Sequence, residues 1–359
     1  MARRSPNRFR RRSLPGRGGG RIISPSFSRG RVAQDKTIVI ALGGNALAQP
    51  GEEGTITQQF RHTRESLGAV VELAREGWRI AIVHGNGPQV GNALVRNEHA
   101  RHLVPPLPLG VLVAATEGWI GYMIQQSLQN ALLRAGVERQ VVTVVTQVLV
   151  DPADPELERP SKPIGRTMDE ETARALAAEM GGDVAETKGG WRRVVPSPRP
   201  TAIVERPMIR SLVAEGHLVI AAGGGGCPVY RTEQWGGGLE GLDAVVDKDR
   251  AAAILGRDIG AEVLVILTDV DCVYADYGKE TQRALRRLTV DEAEALLASG
   301  QLGEGSMAPK VEAATAFVRS GGRRAVIARL DQGREAVAGG AGTEIVADSA
   351  ESEVLSAEC

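Results

Sequence analysis

Six short apolar runs limit what this chain can fold into more than any other feature of its sequence. They cover residues 37–42, 79–84, 141–150, 217–222, 262–268 and 323–330. The runs are apolar throughout instead of alternating with polar residues, which is the pattern of strands covered on both faces. Four of them end in glycine or Asp-Pro, residues that terminate strands in turns. We therefore predict a buried sheet.

Helical patterns separate the apolar runs. They cover residues 58–76, 110–134, 205–215 and 307–319, and each ends at or near a glycine, which favours a helix C-terminus. Alternating strands and helices predict the α/β class, with a mostly parallel sheet that carries helices on both faces.

One segment, residues 151–200, breaks this alternation. It contains seven prolines, a short helical pattern at 169–179 and a candidate hairpin at 183–195. We interpret it as an insertion that projects from the sheet and is a candidate lid.

The ends of the chain differ from its body. Residues 1–34 carry ten arginines and no acidic residue, although the whole chain has a net charge of −1. Such a segment is expected to be a disordered extension. We expect it to have no function, with organelle targeting and contact with nucleic-acid phosphates as the alternatives. The body is expected to span residues 35–348, followed by a tail at 349–359.

Composition excludes several classes of protein. No apolar run reaches the length of roughly 20 residues that spans a bilayer, so we expect no membrane partner. The three cysteines, Cys227, Cys272 and Cys359, lack disulfide or zinc spacing. This favours a reducing, cytoplasmic location. Cys227 follows a glycine-rich loop, and we interpret it as a packed residue in preference to a reactive thiol.

Glycine-rich turns follow three of the predicted strands, at residues 42–47, 84–91 and 221–229. Ligands of open parallel sheets bind at the carboxyl ends of the strands, and glycine lets backbone N–H groups approach an anion. We therefore predict phosphate binding, with plain turns as the alternative. The P-loop motif is absent, and residues 85–91 miss the dinucleotide fingerprint by one residue. A nicotinamide-dependent oxidoreductase is disfavoured but stays open.

Three lysines accompany these loops. Lys162 lies in the insertion, whereas Lys248 and Lys310 lie at predicted helix starts. A lysine at a helix start opposes the helix dipole, so a bound anion would account for these two, although any lysine alone is more often a solvated surface residue. Asp249 follows Lys248 and is suited to orient the lysines or to act in an outer sphere around Mg²⁺.

Two residues after the fifth predicted strand suit a nucleotide. The carboxylate of Asp269 is placed to bind a ribose hydroxyl, and Tyr274 to flank a base. The alternative for Tyr274 is a half-buried aromatic residue without a ligand. No histidine stands in an obvious position for a general base, and the sequence offers no metal site made of protein ligands alone.

These motifs, in this order, resemble the carbamate kinases, a branch of the amino acid kinases. The resemblance extends over residues 37–346. It is carried by the strings ALGGNAL (41–47), VHGNGPQVGN (83–92), IGYMIQQSLQNAL (120–132), SKPIGR (161–166), RRVVPSPRP (192–200), AAGGGGCPV (221–229), DAVVDKDRAA (243–252), LTDVDCVY (267–274) and GSMAPKVEAA (305–314).

The resemblance implies an open αβα sandwich with a protruding subdomain within residues 151–200, and a homodimer. It implies Mg²⁺-dependent, reversible phosphoryl transfer between carbamoyl phosphate and ADP, giving ATP and carbamate, in arginine breakdown. The implied catalytic residues are Lys162, Lys248, Lys310 and Asp249. Those implied for the substrate are Gly43, Gly44, Asn45, Gly85, Asn86 and Gly87. Those implied for the nucleotide are Gly223, Gly224, Gly225, Asp269, Tyr274 and Met307.

Three positions depart from the family pattern. Glu117 replaces an expected glutamine, Arg166 an expected proline and Ala308 an expected glycine. The alternatives are a related kinase acting on an acyl carboxylate such as N-acetylglutamate or on a nucleoside monophosphate, and a nucleotide sensor without activity.

Overall fold

Strands account for all six apolar runs. The computed structural model describes residues 36–49, 51–187, 189–302 and 307–348; the predicted N-terminal extension and C-terminal tail lie outside these ranges. In chain order the strands are β1 (Thr37–Leu42), β2 (Arg79–His84), β3 (Val141–Thr143), β4 (Gln147–Val150), β5 (Lys162–Met168), β6 (Asp183–Thr187), β7 (Gly190–Val195), β8 (Pro200–Ile203), β9 (Leu218–Ile220), β10 (Cys227–Thr232), β11 (Gly238–Gly241), β12 (Val263–Thr268), β13 (Val273–Ala275), β14 (Arg283–Leu285), β15 (Arg287–Thr289), β16 (Arg324–Arg329) and β17 (Thr343–Val346).

The helices fill the connections between these strands. In chain order they are α1 (Ile56–Ser66), α2 (Gly68–Arg75), α3 (Gly87–His99), α4 (Leu109–Arg134), α5 (Glu170–Met180), α6 (Arg206–Ala214), α7 (Lys248–Ile259), α8 (Val290–Ala298), α9 (Met307–Arg319) and α10 (Gly333–Val337). Within the described ranges, none of them has the length and apolarity needed to cross a bilayer.

The main sheet has the order β15-β17-β16-β12-β1-β2-β9-β3 in the described chain. Its strands pair in parallel except where β17 meets β16. Strand β1 shows how both faces are covered. Val39 and Ala41 pack among residues of α6, α7 and α9, whereas Ile38, Ile40 and Leu42 pack among residues of α2, α4 and α10. The predicted α/β fold with a mostly parallel sheet is confirmed.

The prediction of one strand over residues 141–150 is wrong. The run is divided between β3 in the main sheet and β4 in a second sheet of order β11-β10-β4-β8. The chain changes sheets at Thr146, whose N–H donates to Oε2 of buried Glu117 (2.7 Å) and whose hydroxyl oxygen accepts from the N–H of Ala222 (2.9 Å). Because these side chains satisfy the backbone there, the chain can leave the strand ladder.

The prediction of one helix over residues 58–76 is also wrong, because α1 and α2 are separated at Leu67 (φ −90°, ψ −1°). The break turns the Leu67 side chain into the core, where it is 1% exposed. Ser66 stabilises the end of α1 by donating its hydroxyl to the carbonyl of Thr63 (3.0 Å). The burial of one leucine, which periodicity cannot show, thus decides where the helix ends.

Within the predicted insertion, β5, β7 and β6 form a separate antiparallel sheet. The candidate hairpin is confirmed as β6 and β7, with Asp183 opposite Val194, and α5 packs beside them. This unit, which we call the subdomain (residues 162–195), contacts the main body through α3. A Cβ on Gly91 of α3 would lie 2.0 Å from the backbone nitrogen of Gly165 in β5, so this contact requires glycine.

Gly91→Ala is expected to separate the subdomain from α3 and to lower the free energy of unfolding by about 1–3 kcal/mol, the usual cost of overpacking. The control is Gly68→Ala at the start of α2, where an added Cβ meets nothing within 4 Å. Urea unfolding of both variants tests this, and equal stabilities would contradict the close contact.

A second prediction concerns Glu117. Burial raises the pKa of its carboxyl well above the ordinary 4.5, and the hydrogen bonds from the Thr146 amide and the Cys227 thiol offset this rise only in part. Above pH 4.5 the unfolded chain ionises Glu117 while the folded chain keeps it protonated. Wild-type stability therefore falls with rising pH, by about 1.4 kcal/mol per unit up to the folded pKa.

Glu117→Gln removes this pH dependence of stability, because glutamine does not titrate. The stability of the variant relative to wild type, measured by urea unfolding from pH 5 to pH 8, should therefore rise until the pH reaches the folded pKa of Glu117. A difference that stays constant over this range would show that Glu117 is ionised in the folded protein.

Candidate active site

A cleft of about 710 Å³ opens at the carboxyl ends of β1, β2 and β12. The predicted glycine loops form its floor, the first turns of α3, α7 and α9 reach into it, and the subdomain forms a wall. Of the predicted site residues, those that line it are Gly43, Gly44, Gly85, Asn86, Gly87, Lys162, Gly224, Lys248, Asp249, Asp269 and Lys310.

The floor is made of backbone packed against backbone. The N–H of Gly43 donates to the carbonyl of Leu267 (3.0 Å) and that of Gly85 to the carbonyl of Leu42 (3.2 Å). A Cβ on Gly43 would lie 2.9 Å from the Leu267 oxygen, whereas one on Gly44 would meet nothing within 4 Å. The side of Gly44 that faces the cleft is therefore open for a ligand.

Three lysines converge on two aspartates at the start of α7. Lys162 of the subdomain forms an ion pair with Asp247. Lys248 bonds Oδ1 of Asp249 (2.7 Å) and Lys310 lies 3.4 Å from Oδ2 of the same carboxylate. We call these five residues the lysine cluster. Its members come from β5, α7 and α9 and meet only in the folded chain.

Asp247 also caps α7. Its Oδ1 accepts from the backbone N–H groups of Asp249 (2.8 Å) and Arg250 (3.3 Å), as favoured for aspartate before a helix. Burial alone would raise the pKa of this carboxyl, but Lys162 and Lys248 hold it well below its ordinary value. The carboxylate is therefore charged and fixed, and it orients Lys162.

The two helix-start lysines differ electrostatically. Burial acts to lower the pKa of Lys248, but the carboxylates of Asp249 and Asp247 outweigh burial and raise it. Burial and the charge of Lys248 lower the pKa of Lys310 despite Asp249. A buried pair of like charges gains stability from an added anion, so this part of the cleft favours an anionic group.

The third glycine loop lies mostly behind the cleft. Gly224 lines the cleft. Gly223 packs on His84 and Gly225 packs on the carbonyl of Val246. A Cβ added to Gly223 would lie 2.3 Å from Nε2 of His84, and one added to Gly225 would lie 2.3 Å from the Val246 oxygen. His84 is fully buried, and burial lowers its pKa to about 4. It is neutral at neutral pH, and its Nε2 has no hydrogen-bond partner among the described residues.

Burial also raises the pKa of Cys227, which argues against a reactive thiol.

Only part of the set predicted along the nucleotide lines the described cleft. Asp269 is at its wall and accepts from the Thr268 hydroxyl (3.0 Å). Tyr274 donates to Oδ1 of Asp271 (2.7 Å), and Met307 begins α9; neither is among the residues that line the described cleft. Asn45 belongs to a helical turn after β1, and its side chain is outside the described part of the structure.

Sequence reasoning missed several residues of the cleft. Asp247 was accessible, because an aspartate directly before a helix start is an N-cap signal. Arg192 appeared only within a family string. Glu156 and Arg250, which form an ion pair at the rim (2.8 Å), lie 94 positions apart in the sequence, so no local pattern connects them.

None of the three departures from the family pattern, Glu117, Arg166 and Ala308, belongs to the lysine cluster. Arg166 is exposed on β5 and Ala308 is partly buried in the first turn of α9. Neither lines the described cleft. Burial raises the pKa of Glu117 and so favours the neutral carboxyl, which has the same charge as the expected glutamine.

Comparisons with known proteins agree with this geometry. The model of the amino acid kinase family matches residues 36–329. A carbamate kinase of Pyrococcus horikoshii is 45% identical over 311 residues, which is 86% of this chain and 98% of the relative. The solved carbamate kinase of Giardia lamblia bound to citric acid superposes with a TM-score of 0.83 at 38% identity, over 88% of this chain and 99% of that one. The same enzyme bound to AMP-PNP superposes with a TM-score of 0.79 at 38% identity, over 88% of this chain and 99% of that one.

The predicted enzyme class is thereby confirmed, since kinases of this kind are phosphotransferases. The resemblance read from nine strings is also confirmed. The chain belongs to the amino acid kinase family and, within it, to the carbamate kinases.

Proposed function

We propose that this chain transfers a phosphoryl group reversibly between carbamoyl phosphate and ADP, giving ATP and carbamate. The observation that carries the proposal is the lysine cluster, in which Lys162, Lys248 and Lys310 are held by Asp247 and Asp249 over the glycine floor. Three cations around a space floored by glycine backbone suit a group that carries several negative charges as it moves.

The chemistry needs little beyond position and charge. Phosphoryl transfer has a loose transition state with charge on the equatorial oxygens. An oxygen of the ADP β-phosphate forms a bond to phosphorus while the bond between phosphorus and the carbamoyl oxygen breaks, and its electron pair stays on carbamate. No proton moves, so no general base is required. Neutral His84, buried behind Gly223, is consistent with this.

We assign the two ends of the cleft to the two substrates. Gly43, Gly44, Asn45 and the loop 85–87 would bind carbamoyl phosphate, with Lys162 above them. Lys248 and Lys310 would bind the phosphoryl group in transit. Gly223, Gly224, Gly225, Asp269, Tyr274 and Met307 would lie toward the nucleotide.

Magnesium fits this assignment as an ion carried by the nucleotide. Mg²⁺ in kinases is held by phosphate oxygens, water and one or two carboxylates. Asp249 lines the cleft beside Lys248 and Lys310, and its carboxylate would act in the outer sphere around the ion. When bound, the ion would supply positive charge that offsets the negative charge of the phosphates.

The subdomain would act as the lid over carbamoyl phosphate, because Lys162 reaches the lysine cluster from it. We place the kinase domain at residues 35–348, and the reaction in arginine breakdown in the cytoplasm, as the resemblance implies.

A homodimer is proposed through the exposed side of α4. Val111 and Tyr122, which are 47% and 56% exposed, lie on one stripe of this helix with Ala115 and Gly118. Ile56 of α1 adds another exposed apolar side chain beside it. A face of this kind is typical of an interface between two copies of one chain.

Lys310→Ala should lower kcat for ATP formation from carbamoyl phosphate, ADP and Mg²⁺ by about 100-fold or more, since one charged donor to the moving group is lost. The measurement is a coupled ATP assay. The matched control is Lys279→Ala, a lysine that is 67% exposed and paired with Asp276; its kcat should be that of wild type.

Two results would count against this proposal. Near-normal turnover of a folded Lys310→Ala variant would remove the lysine from the chemistry. A wild-type protein that binds ADP but forms no ATP would indicate a related acyl kinase or a nucleotide sensor instead.

Tyr122→Asp should convert the dimer to monomers in light scattering after size exclusion, because it places a charge at the centre of the proposed interface. Met208→Asp is the control: Met208 is 60% exposed on α6, which packs on the other face of the sheet. An unchanged mass for Tyr122→Asp, or loss of the dimer in the control alone, would refute this interface.

A further inference from the structure

Arg192 lies on the face of the subdomain sheet that looks into the cleft. In the β6–β7 hairpin it stands opposite Ala185, and its neighbours on that face are Val194 and Thr187, which also line the cleft. The residues nearest to it on this face are small or apolar; Asp183, opposite Val194 on the same face, is exposed and forms no hydrogen bond or ion pair with it in the described structure. A Cβ placed on Gly87 would lie 4.0 Å from its Nη2, so it faces the loop assigned to carbamoyl phosphate.

The guanidinium group has no carboxylate partner within the described residues. Its Nη2 donates to the carbonyl of Gly165 (2.8 Å), and its buried Nε has no partner. The other basic side chains that line the described cleft each form an ion pair with a carboxylate. They are Lys162, Lys248, Arg250 and Lys310.

Arg193, the next residue, shows the contrast. It points to the opposite face of the sheet and forms an ion pair with Glu98 (2.7 Å). Burial lowers the pKa of Arg192, which is the direction expected for a cation that lacks a counter-charge. Removing a charge from water without a partner is unfavourable, and a bound anion would supply that partner.

We propose that Arg192 binds the carbamoyl group of carbamoyl phosphate and the carboxylate of carbamate. This rests on the function proposed above. A guanidinium group is planar, and its N–H groups match the two oxygens of a carboxylate. Arg192 lines the cleft, so its guanidinium group can meet such a ligand there, and the lysine cluster takes the phosphoryl group.

The reaction gives this contact a role in the chemical step as well as in binding. When the bond between phosphorus and the carbamoyl oxygen breaks, its electron pair remains on carbamate, and negative charge grows on its oxygens. A guanidinium group placed at those oxygens bonds the leaving carbamate more strongly than the carbonyl of the substrate. Arg192 would therefore favour the transition state over the ground state.

The test compares Arg192→Gln with wild type in ATP formation from carbamoyl phosphate, ADP and Mg²⁺. We expect kcat/KM for carbamoyl phosphate to fall about 10- to 100-fold, as for loss of a charge-assisted hydrogen bond, while KM for ADP stays within about twofold. Arg192→Lys should recover part of the loss. Arg166→Gln, an exposed arginine on β5, is the charge-matched control and should behave as wild type.

A direct binding measurement separates this proposal from the proposed function. Calorimetric titration with phosphonoacetate, a stable anion with a phosphonate and a carboxylate, needs no turnover. Binding to wild type that is weakened about tenfold or more in Arg192→Gln supports the arginine site, even if wild type forms no ATP.

Three results would overturn the proposal. One is unchanged kinetics for carbamoyl phosphate in a folded Arg192→Gln variant. Another is a rise in KM for ADP alone, which would place Arg192 at the nucleotide. The third is equal affinity of both proteins for phosphonoacetate.

Discussion

The ion pairs at the start of α7 are the constraint on which the rest of the site depends. Asp247 and Asp249 hold three lysines that come from β5, α7 and α9. Without these carboxylates, the buried like charges of Lys248 and Lys310 would repel each other. Asp247 also caps α7. One short segment therefore fixes the start of this helix, the positions of the lysines and the position of the subdomain.

The packing of the sheet explains why this segment faces an open floor. β1 lies between β2 and β12, and glycine follows both β1 and β2. Gly43 and Gly85 bond back to neighbouring strands, which brings their backbones together without side chains between them. The same device recurs where Gly91 meets Gly165, and there it brings the subdomain sheet, with Lys162 and Arg192, close to α3. Close backbone contacts thus set the dimensions of the cleft.

The sequence was sufficient to predict the strands within the six apolar runs, several helices and the hairpin, because these depend on local patterns. Helix α9 was predicted to the residue. The division of residues 141–150 was not predictable, since it depends on Glu117, which lies 29 positions away from Thr146. Asp247 was overlooked in favour of Asp249, although its position before a helix start could have indicated it. That Arg192 has no carboxylate partner among the described residues was also inaccessible, because it depends on which strand lies opposite and on which face each side chain points.

The most direct test of the account follows phosphorus itself. In ³¹P NMR of the purified protein with carbamoyl phosphate, ADP and Mg²⁺, the carbamoyl phosphate signal should decline while the γ-phosphate signal of ATP grows in equal amount. Inorganic phosphate should form no faster than without protein. Release of inorganic phosphate in place of ATP, or an unchanged spectrum from folded protein, would contradict transfer at the lysine cluster.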